Sequence, residues 1–401
     1  MNDLARHWRL DPGVNFLNHG SFGACPSAVL EAQSRLRERL EAEPVRFFTR
    51  EYPALLTEAR GALGAFIGAD GDDLAFVANA TAGVNTVVRS LGFEPGDEIL
   101  TTDHAYAACH NALLHVAEAS GAPVVVAKVP FPLDGDDQNV DAILAAVGPR
   151  TRLAMIDHVT SPTGIILPIA RIVAELAERG VDTLVDGAHA PGMVALDVTA
   201  IGAAYYTGNC HKWLCAPKGA AFLWVRRDRQ AAIHPLTISH GRSGHGPGSA
   251  FRKEFDWTGT DDPTAWLCVP EAIRVVGALL PGGWDEVRRR NRELALAGRA
   301  ALCRALDVAA PCPESMIGSL AAVPLRDLRD GDWPTGQMRS EIGGSAFDPI
   351  QQALWDRHAI EVPVMPWPRW GKRLLRISAQ LYNEEAQFRT LAGALTEAIS
   401  G

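Results

Sequence analysis

Short apolar runs alternate with longer amphipathic segments through the first 225 residues of the chain. Each apolar run is flanked by turn residues and is too short for a buried helix, which is typical of a buried β-strand. Strands separated by helices of this length predict an α/β fold with a mostly parallel, doubly wound sheet. We predict strands at 74–79, 97–102, 122–130, 151–159, 181–187, 202–210 and 219–225.

The segments between these runs carry apolar residues at helical spacing. The first of them has Ser27 as a candidate N-cap, because a serine hydroxyl accepts from an unpaired backbone N–H. The last of them ends at Gly180, a residue type that favours the left-handed conformation at a helix end. We predict helices at 26–40, 55–67, 81–91, 105–120, 141–147 and 169–180.

The pattern changes after residue 260, where helices become longer and strands fewer. One continuous helix is predicted over 261–280, and a polar, glycine-rich segment at 326–345 is predicted to be a mobile loop. Further helices are predicted at 284–306, 346–358 and 384–399, with strands at 319–325 and 374–378. The predicted organisation is an N-terminal segment (1–25) that contributes to the active site, a large domain (26–275) and a smaller α/β C-terminal domain (276–401).

Composition and charge exclude several classes of function. The net charge is −9, from 38 basic and 47 acidic residues, with no block of like charge of the kind that binds nucleic acid. The start of the chain has no apolar signal-peptide core, and the apolar runs are too short to span a bilayer. Seven cysteines without a CxxC pair indicate neither a disulfide framework nor a zinc site. A cytoplasmic enzyme without nucleic-acid or membrane partners is expected.

Polar clusters follow the predicted strands at their carboxyl ends, where doubly wound sheets bind ligands. One cluster opens a helix at Thr81, and the unpaired N–H groups of a helix start suit a phosphate, although Thr81 could simply cap the helix. Another places Asp186 at a strand end beside the core. A buried carboxylate there needs a cationic partner such as a protonated pyridine nitrogen, unless it caps the next turn. The clusters are NATAG (79–83), TDHAY (102–106), DHVTSPTG (157–164), DGAHAPG (186–192) and TGNCHKW (207–213).

The last cluster contains Lys212, one of only five lysines in the chain. It lies between His211 and Trp213 directly after an apolar strand, an unusual position for a solvated lysine. Desolvation lowers the pKa of a lysine and makes its amine a nucleophile and a base. The alternative is an amphipathic lysine whose charged end extends past apolar neighbours into water.

In this order the clusters resemble the class V aminotransferase branch of the fold-type-I enzymes that use pyridoxal 5′-phosphate (PLP), and within it the isopenicillin N epimerase-like proteins. The resemblance covers essentially the whole chain. It implies a large domain with a mostly parallel, seven-stranded mixed sheet, a smaller α/β C-terminal domain, and a homodimer with shared active sites. It rests most on LNHGSFGACP (17–26), DGAHAPG, TGNCHKWL (207–214), WTGTDDPTAW (257–266) and RISAQLYN (376–383).

The resemblance also implies roles for individual residues. Lys212 carries PLP as a Schiff base, Asp186 pairs with the pyridine nitrogen, and His189 lies near the ring oxygen. The phosphate is held by Ala80, Thr81, Asn209 and His211, and by Thr260 of the neighbouring protomer. Tyr106 stacks on the ring, with His104 as the competing candidate, and Thr160 or Ser161 lies against the cofactor. Arg376 binds the substrate α-carboxylate as a planar bidentate donor, and Asn18 and His19 close over the substrate.

Two features bear on specificity. Asp261 stands where the epimerase-like motif has a basic residue, which leaves the substrate side chain open. The desulfurases of this class use a mobile-loop cysteine to take up sulfur, whereas the corresponding stretch 313–348 contains none and Cys312 lies only at its edge. A persulfide-forming desulfurase is therefore disfavoured.

Every PLP-based interpretation passes through an α-carbanion (quinonoid) of an amino-acid substrate, and the protein decides the fate of that carbanion. Reprotonation on the opposite face makes an epimerase or racemase, which ranks first. Loss of a β-substituent makes a C–S β-lyase of cysteine conjugates or sulfoxides, and proton return to the cofactor makes an aminotransferase. An epimerase needs a second acid, for which Tyr106 and His19 are candidates. A non-catalytic PLP-fold protein is disfavoured by Lys212, Asp186 and Arg376 together, and a NAD-dependent oxidoreductase by the lack of a GxGxxG motif after the first strand.

Overall fold

A computed structural model describes residues 2–244, 248–328 and 347–400. Its centre is a seven-stranded mixed sheet in the order β2-β8-β7-β6-β5-β3-β4. The strands are β1 (Asn15–Phe16), β2 (Leu74–Val77), β3 (Glu98–Thr102), β4 (Val124–Ala127), β5 (Thr151–Asp157), β6 (Asp182–Asp186), β7 (Tyr205–Asn209), β8 (Ala221–Val225), β9 (Leu320–Leu325), β10 (Ile360–Glu361), β11 (Val364–Pro366) and β12 (Arg373–Ser378). All seven predicted strands of the large domain are present at their predicted places.

Within the central sheet β3 to β7 are parallel, and β8 is antiparallel to both of its neighbours. The core lies on both faces of this sheet. Alternate residues of one strand belong to different apolar clusters, with Ile156 on one face and Met155 on the other. Because both faces are covered, the strand sequences read as continuous apolar runs rather than as an alternating pattern.

Fifteen α-helices lie in the described residues, and four short ones (19–22, 44–46, 198–201 and 250–256) have no counterpart among the predicted helices. The fifteen are α1 (His19–Phe22), α2 (Ser27–Ala42), α3 (Pro44–Arg46), α4 (Tyr52–Ile67), α5 (Ala80–Ser90), α6 (Ala107–Ser120), α7 (Asp136–Ala145), α8 (Ile169–Glu178), α9 (Val198–Ile201), α10 (Ala250–Asp256), α11 (Thr264–Leu267), α12 (Val269–Gly277), α13 (Gly283–Leu306), α14 (Pro349–His358) and α15 (Glu385–Ser400). Within the described part of the chain, no helix combines the length and apolar character needed to cross a membrane.

Three predictions about helices need correction. Ser27 is the first helical residue, and Pro26 occupies the N-cap position. The cap of α5 is Asn79 rather than Thr81, because the Asn79 side chain accepts from the backbone N–H of Ala82 at 2.8 Å. The predicted helix 261–280 is divided into α11 and α12, and Pro270 lies in the first turn of α12, where its missing N–H costs no helical hydrogen bond.

The C-terminal part contains a three-stranded antiparallel sheet in the order β11-β12-β9, packed by α13 and α15. The N-terminal segment joins this part, because β1 pairs in parallel with β10 and the backbone N–H of Ser378 donates to the carbonyl of Leu17. The domain boundaries at 25 and 275 stay a prediction. The predicted mobile loop 326–345 lies almost wholly outside the described residues.

Candidate active site

The carboxyl ends of the parallel strands bring the polar clusters together. β5 ends at Asp157 and β6 at Asp186, and these two residues are directly paired in the sheet register. β7 ends at Asn209, and the chain then turns through Lys212 before it enters β8. The structure therefore places a carboxylate pair and the lysine at one edge of the sheet, where such folds bind ligands.

The amine of Lys212 lies against the imidazole of His189, with 3.1 Å between Nζ and Nε2. Burial lowers the pKa of Lys212 to about 8, the Arg376 guanidinium contributes to the shift, and Asp186 opposes it. A lysine of this pKa supplies free amine near neutral pH, and free amine is the form that attacks a carbonyl or accepts a proton. The side chain remains partly exposed, so a ligand can reach it.

His189 is buried and hydrogen-bonded through both ring nitrogens. The indole N–H of Trp213 donates to Nδ1 over 3.2 Å, while Nε2 faces the lysine amine. Burial holds the pKa of His189 well below its usual range, so the imidazole is neutral. Trp213 was not singled out in the sequence as a site residue, although it directly follows the lysine in the motif.

Asp186 is the buried last residue of β6 and has two neutral donors. The Cys109 thiol donates to Oδ2 with 3.1 Å between sulfur and oxygen, and the Ala188 N–H donates to Oδ1 at 3.0 Å. Burial raises the pKa of Asp186. A buried carboxylate that receives only neutral donors fits a site in which a cationic ligand group supplies the counter-charge.

Asp157 is a second buried carboxyl that sequence reasoning missed. It is 2 % exposed, and its Oδ2 has no hydrogen-bond partner among the described residues. Burial, together with the adjacent Asp186, raises the pKa of Asp157 well above its usual range. The signal that could have identified it is positional, since Asp157 ends its strand in the motif DHVTSPTG just as Asp186 ends the next strand.

The start of α5 lies against the carboxyl end of β7, and a helix start suits a phosphate. The side-chain oxygen of Asn209 accepts from the backbone N–H of Ala80 at 2.8 Å, so this N–H is bound to the protein, and Thr81 follows in the first turn. Gly83 allows the helix to approach β7, because a Cβ at that position would collide with the Thr207 hydroxyl.

His211 follows Asn209 by two residues in the chain. Its Nδ1 lies 3.0 Å from the carbonyl oxygen of Ala220, to which it donates. Burial, with a contribution from Lys212, lowers the pKa of His211 to about 4. The neutral ring therefore carries its proton on Nδ1, and a phosphate contact at Nε2 requires the doubly protonated form, which a phosphate dianion stabilises.

Arg376 joins three predicted site segments. This buried residue of β12 donates to the carbonyl and, at 3.2 Å, to the hydroxyl of Ser161, and it donates to the Ser21 hydroxyl at 3.3 Å. The Ser21 hydroxyl in turn donates to the side-chain oxygen of Asn18 at 2.6 Å. Ser21 was missed in the sequence, although it lies in the same motif as Asn18.

His19 occupies a different position from the expected cover over the substrate. It is fully buried, its Nε2 lies 3.0 Å from the backbone carbonyl oxygen of Lys212, and its Nδ1 lies 2.9 Å from the Tyr382 hydroxyl. Gly23 brings the segment this close, because its φ is +72° and a Cβ there would collide with the carbonyl of His211. His19 thus supports the backbone of the lysine.

The two candidates for the ring-stacking residue have different surroundings. His104 is buried, with Nδ1 2.8 Å from the Thr163 hydroxyl and Nε2 3.1 Å from the carbonyl oxygen of Val129. Tyr106 is 36 % exposed at the start of α6, and its backbone lowers the raised pKa of the Asp157 carboxyl. Of the two, Tyr106 presents accessible ring surface beside the carboxylate pair.

Two further predicted residues lie apart from these contacts. The Thr160 hydroxyl is bound within its own turn, 2.7 Å from the Thr163 hydroxyl and 3.0 Å from the backbone nitrogen of Ile165. Thr260 is exposed in the connection between α10 and α11. The contact of Thr260 with a neighbouring protomer stays a prediction.

Comparison with known proteins identifies the family. The model of the class-V aminotransferases matches residues 20–315. The chain belongs to this family. It is 38% identical to isopenicillin N epimerase of Amycolatopsis lactamdurans over 97% of this chain and 96% of the relative. It is 31% identical to a putative L-cysteine desulfhydrase of Oryza sativa subsp. japonica, covering 97% of this chain and 84% of that one.

The fold of this chain is also similar to that of solved structures. A mutant of C-DES with glycine covalently linked to its PLP cofactor matches with a TM-score of 0.77 at 22% identity, over 96% of this chain and 97% of that one. This likeness confirms the predicted fold type I. Membership of the class-V aminotransferases confirms the predicted PLP cofactor, and the protein is a PLP-dependent enzyme. The buried Asp186 with its neutral donors and the free amine of Lys212 fit this cofactor.

We predict that Arg376→Ala raises the KM for amino-acid substrates about 30- to 100-fold, because charge-assisted hydrogen bonds to a carboxylate contribute about 2–3 kcal/mol. Steady-state kinetics measure the effect, and the PLP absorption of the purified variant checks that the site is intact. The KM of Arg376→Lys should lie between those of the wild type and Arg376→Ala, since lysine keeps the charge and loses the planar guanidinium. Arg389→Ala, on the exposed face of α15, is the control. An unchanged KM in Arg376→Ala contradicts the carboxylate-binding role.

Proposed function

We propose that this enzyme removes the α-proton of an amino acid with Lys212 and returns a proton on the opposite face, which makes it an amino-acid epimerase. The observation that carries the proposal is the Lys212 amine, whose pKa of about 8 and contact with His189 suit a group that alternates between nucleophile and base. Bound PLP supplies the electron sink for the α-carbon.

Each surrounding residue then has a defined task. Asp186 keeps a proton on the pyridine nitrogen, because its buried negative charge stabilises the cationic ring. His189 donates at the ring oxygen. Arg376, positioned by Ser161 and Ser21, binds the substrate carboxylate.

The remaining cofactor contacts involve the phosphate and a second protomer. Thr81 lies in the first turn of α5 and Asn209 is bonded to its first residue, so both would hold a phosphate that the helix end stabilises. His211 would be a further phosphate ligand. Ala80 contributes indirectly, since its N–H orients Asn209. Thr260 completes this site from the neighbouring protomer of a homodimer.

Epimerisation requires an acid on the face opposite Lys212, and we assign this role to Tyr106. Tyr106 is 36 % exposed, and its backbone acts on the Asp157 carboxyl at the carboxyl end of β5. The other candidate, His19, is fully buried behind the lysine backbone. The 38% identity to isopenicillin N epimerase over nearly the whole chain supports the same reaction type.

A C–S β-lyase is the second candidate. The observation that favours it is that Lys212 supplies a base on one face, and β-elimination needs no acid on the other face. The 31% identity to a putative L-cysteine desulfhydrase points in the same direction. Cys312 is buried, with its carbonyl accepting from Arg299, so it lacks the exposed position of a sulfur acceptor. A sulfur-transferring desulfurase is therefore not proposed.

Incubation in D₂O with a panel of amino acids and cysteine S-conjugates tests the proposal. We expect product of inverted configuration with deuterium at the α-carbon, measured by NMR and chiral chromatography. Tyr106→Phe should slow inversion about 10²-fold or more, because it removes one proton donor. It should leave deuterium exchange with retention, which needs only Lys212. Release of pyruvate and a thiol instead identifies the lyase, and stoichiometric oxo acid without inversion identifies an aminotransferase.

A further inference from the structure

The contact between Trp213 and His189 fixes where the imidazole carries its proton. An indole nitrogen can only donate a hydrogen bond, so the His189 Nδ1, 3.2 Å from it, must accept. A neutral imidazole whose Nδ1 accepts has its hydrogen on Nε2. That nitrogen lies 3.1 Å from the Lys212 amine, so the hydrogen points at the lysine.

We propose that Trp213 is a positioning residue that holds His189 in the Nε2–H form and thereby keeps the Lys212 amine unprotonated. The inference rests on the proposed role of Lys212 as the residue that binds PLP. An N–H donor directed at the amine stabilises its neutral form, which offers a lone pair. The other tautomer of His189 would present a lone pair and would stabilise the ammonium instead.

The indole is held rigidly enough to impose this choice. Trp213 is 1 % exposed, and its ring lies 4.8 Å from that of His19 between centroids. It packs in a small apolar cluster with Val159, Met193 and Leu320. Burial keeps His189 neutral. A second proton would occupy Nδ1 and would leave the Trp213 indole N–H without its acceptor.

Other charged groups act on the same two side chains without selecting a tautomer. Lys212 faces Arg376, which lowers its pKa, and Asp186, Cys109 and Asp157, which raise it. His189 faces Lys212, Arg376, His19 and His211, all of which disfavour its cationic form. Among these neighbours the Trp213 indole is the group that bonds to Nδ1, so its removal isolates the effect of the tautomer.

The test is the pH dependence of PLP recombination with the full-length chain after removal of the cofactor. Only the free amine attacks the aldehyde, forming the C=N bond with loss of water, so the rate follows the deprotonated fraction of Lys212. We expect Trp213→Phe to move the midpoint of the profile of recombination rate against pH upward by about one pH unit. Recombination at pH 7 should then slow about tenfold and stay unchanged above about pH 10.

Two variants separate the hydrogen bond from packing. β-(3-benzothienyl)alanine at position 213 keeps the ring size and removes the N–H, and it should give the same shift as Trp213→Phe. In a His189→Phe background, Trp213→Phe should cause no further shift, because no tautomer remains to be selected. Trp284→Phe is the matched control, since it also removes an indole N–H from a partly buried tryptophan, donated to the carbonyl of Ile273.

The outcomes are distinct. A midpoint that is unchanged in both position-213 variants overturns the proposal, as does an equal shift in the His189→Phe background. Loss of the Schiff-base absorption in Lys212→Ala with retention in the position-213 variants shows that Lys212 binds PLP. If recombination persists in Lys212→Ala, the role of Lys212 fails, and that result is distinguishable from failure of the tautomer proposal.

Discussion

Replacing Lys212 with alanine is expected to abolish the Schiff-base absorption of the purified enzyme and to lower turnover at least about 10⁴-fold. The loss has two causes. The amine is the group that binds the cofactor covalently, and it is also the base whose pKa is lowered to about 8 for removal of the α-proton. Absorption spectra and steady-state kinetics of the two proteins measure the two losses separately.

Another of the five lysines provides the control for this prediction. Lys128→Ala removes an amine that is largely exposed beside Asp103, and it should leave both readouts at the wild-type level. Addition of a small primary amine should restore part of the turnover of Lys212→Ala, since an external base can replace a missing one. Retained Schiff-base absorption in Lys212→Ala contradicts the assignment outright.

The sequence predicts most of the fold because burial on both faces leaves a strong signal. The strands of the large domain are continuous apolar runs, and the turn residues around them mark where each one ends. The division of the predicted helix 261–280 was missed, since its apolar spacing continues through Pro270. The choice of Asn79 over Thr81 as a helix cap depends on a shift of two residues, which spacing does not resolve.

The site is less predictable than the fold, because it is defined by pairs of residues that are distant in the chain. Asp186 could be identified by its motif, whereas the importance of Asp157 becomes visible only when β5 and β6 are paired in register. The bond between Trp213 and His189 joins two motifs that are 24 residues apart. Ser21 acquires its role from Arg376, 355 residues later. Such contacts are products of tertiary structure, and a strand-by-strand analysis does not contain them.

Asp186→Asn should lower turnover about 10²- to 10³-fold, because a buried ion pair that loses one partner costs about 3–5 kcal/mol. The neutral amide cannot stabilise a cationic pyridine ring, so the bound cofactor becomes a weaker electron sink. Binding through Lys212 remains, and the variant should therefore still show its Schiff-base absorption. Asp157→Asn is the matched control on the neighbouring strand, with the same burial and a smaller expected loss of turnover. Equal losses in the two variants contradict the specific pairing of Asp186 with the ring.

Asp186→Asn, which should lower turnover, should raise the stability of the chain without its cofactor. Burial raises the pKa of Asp186 above that of the unfolded chain, about 3.9, so the folded state binds the proton more tightly. The free energy of unfolding therefore falls as the pH rises above that value, until the folded-state pKa has been passed. Without PLP, Asp186→Asn should raise Tm by a few degrees at pH 8, and the difference should vanish below about pH 4. Thermal unfolding at the two pH values measures the difference in Tm between Asp186→Asn and the wild type. A lower Tm for Asp186→Asn at pH 8 would contradict the inference that the buried Asp186 carboxylate destabilises the cofactor-free chain.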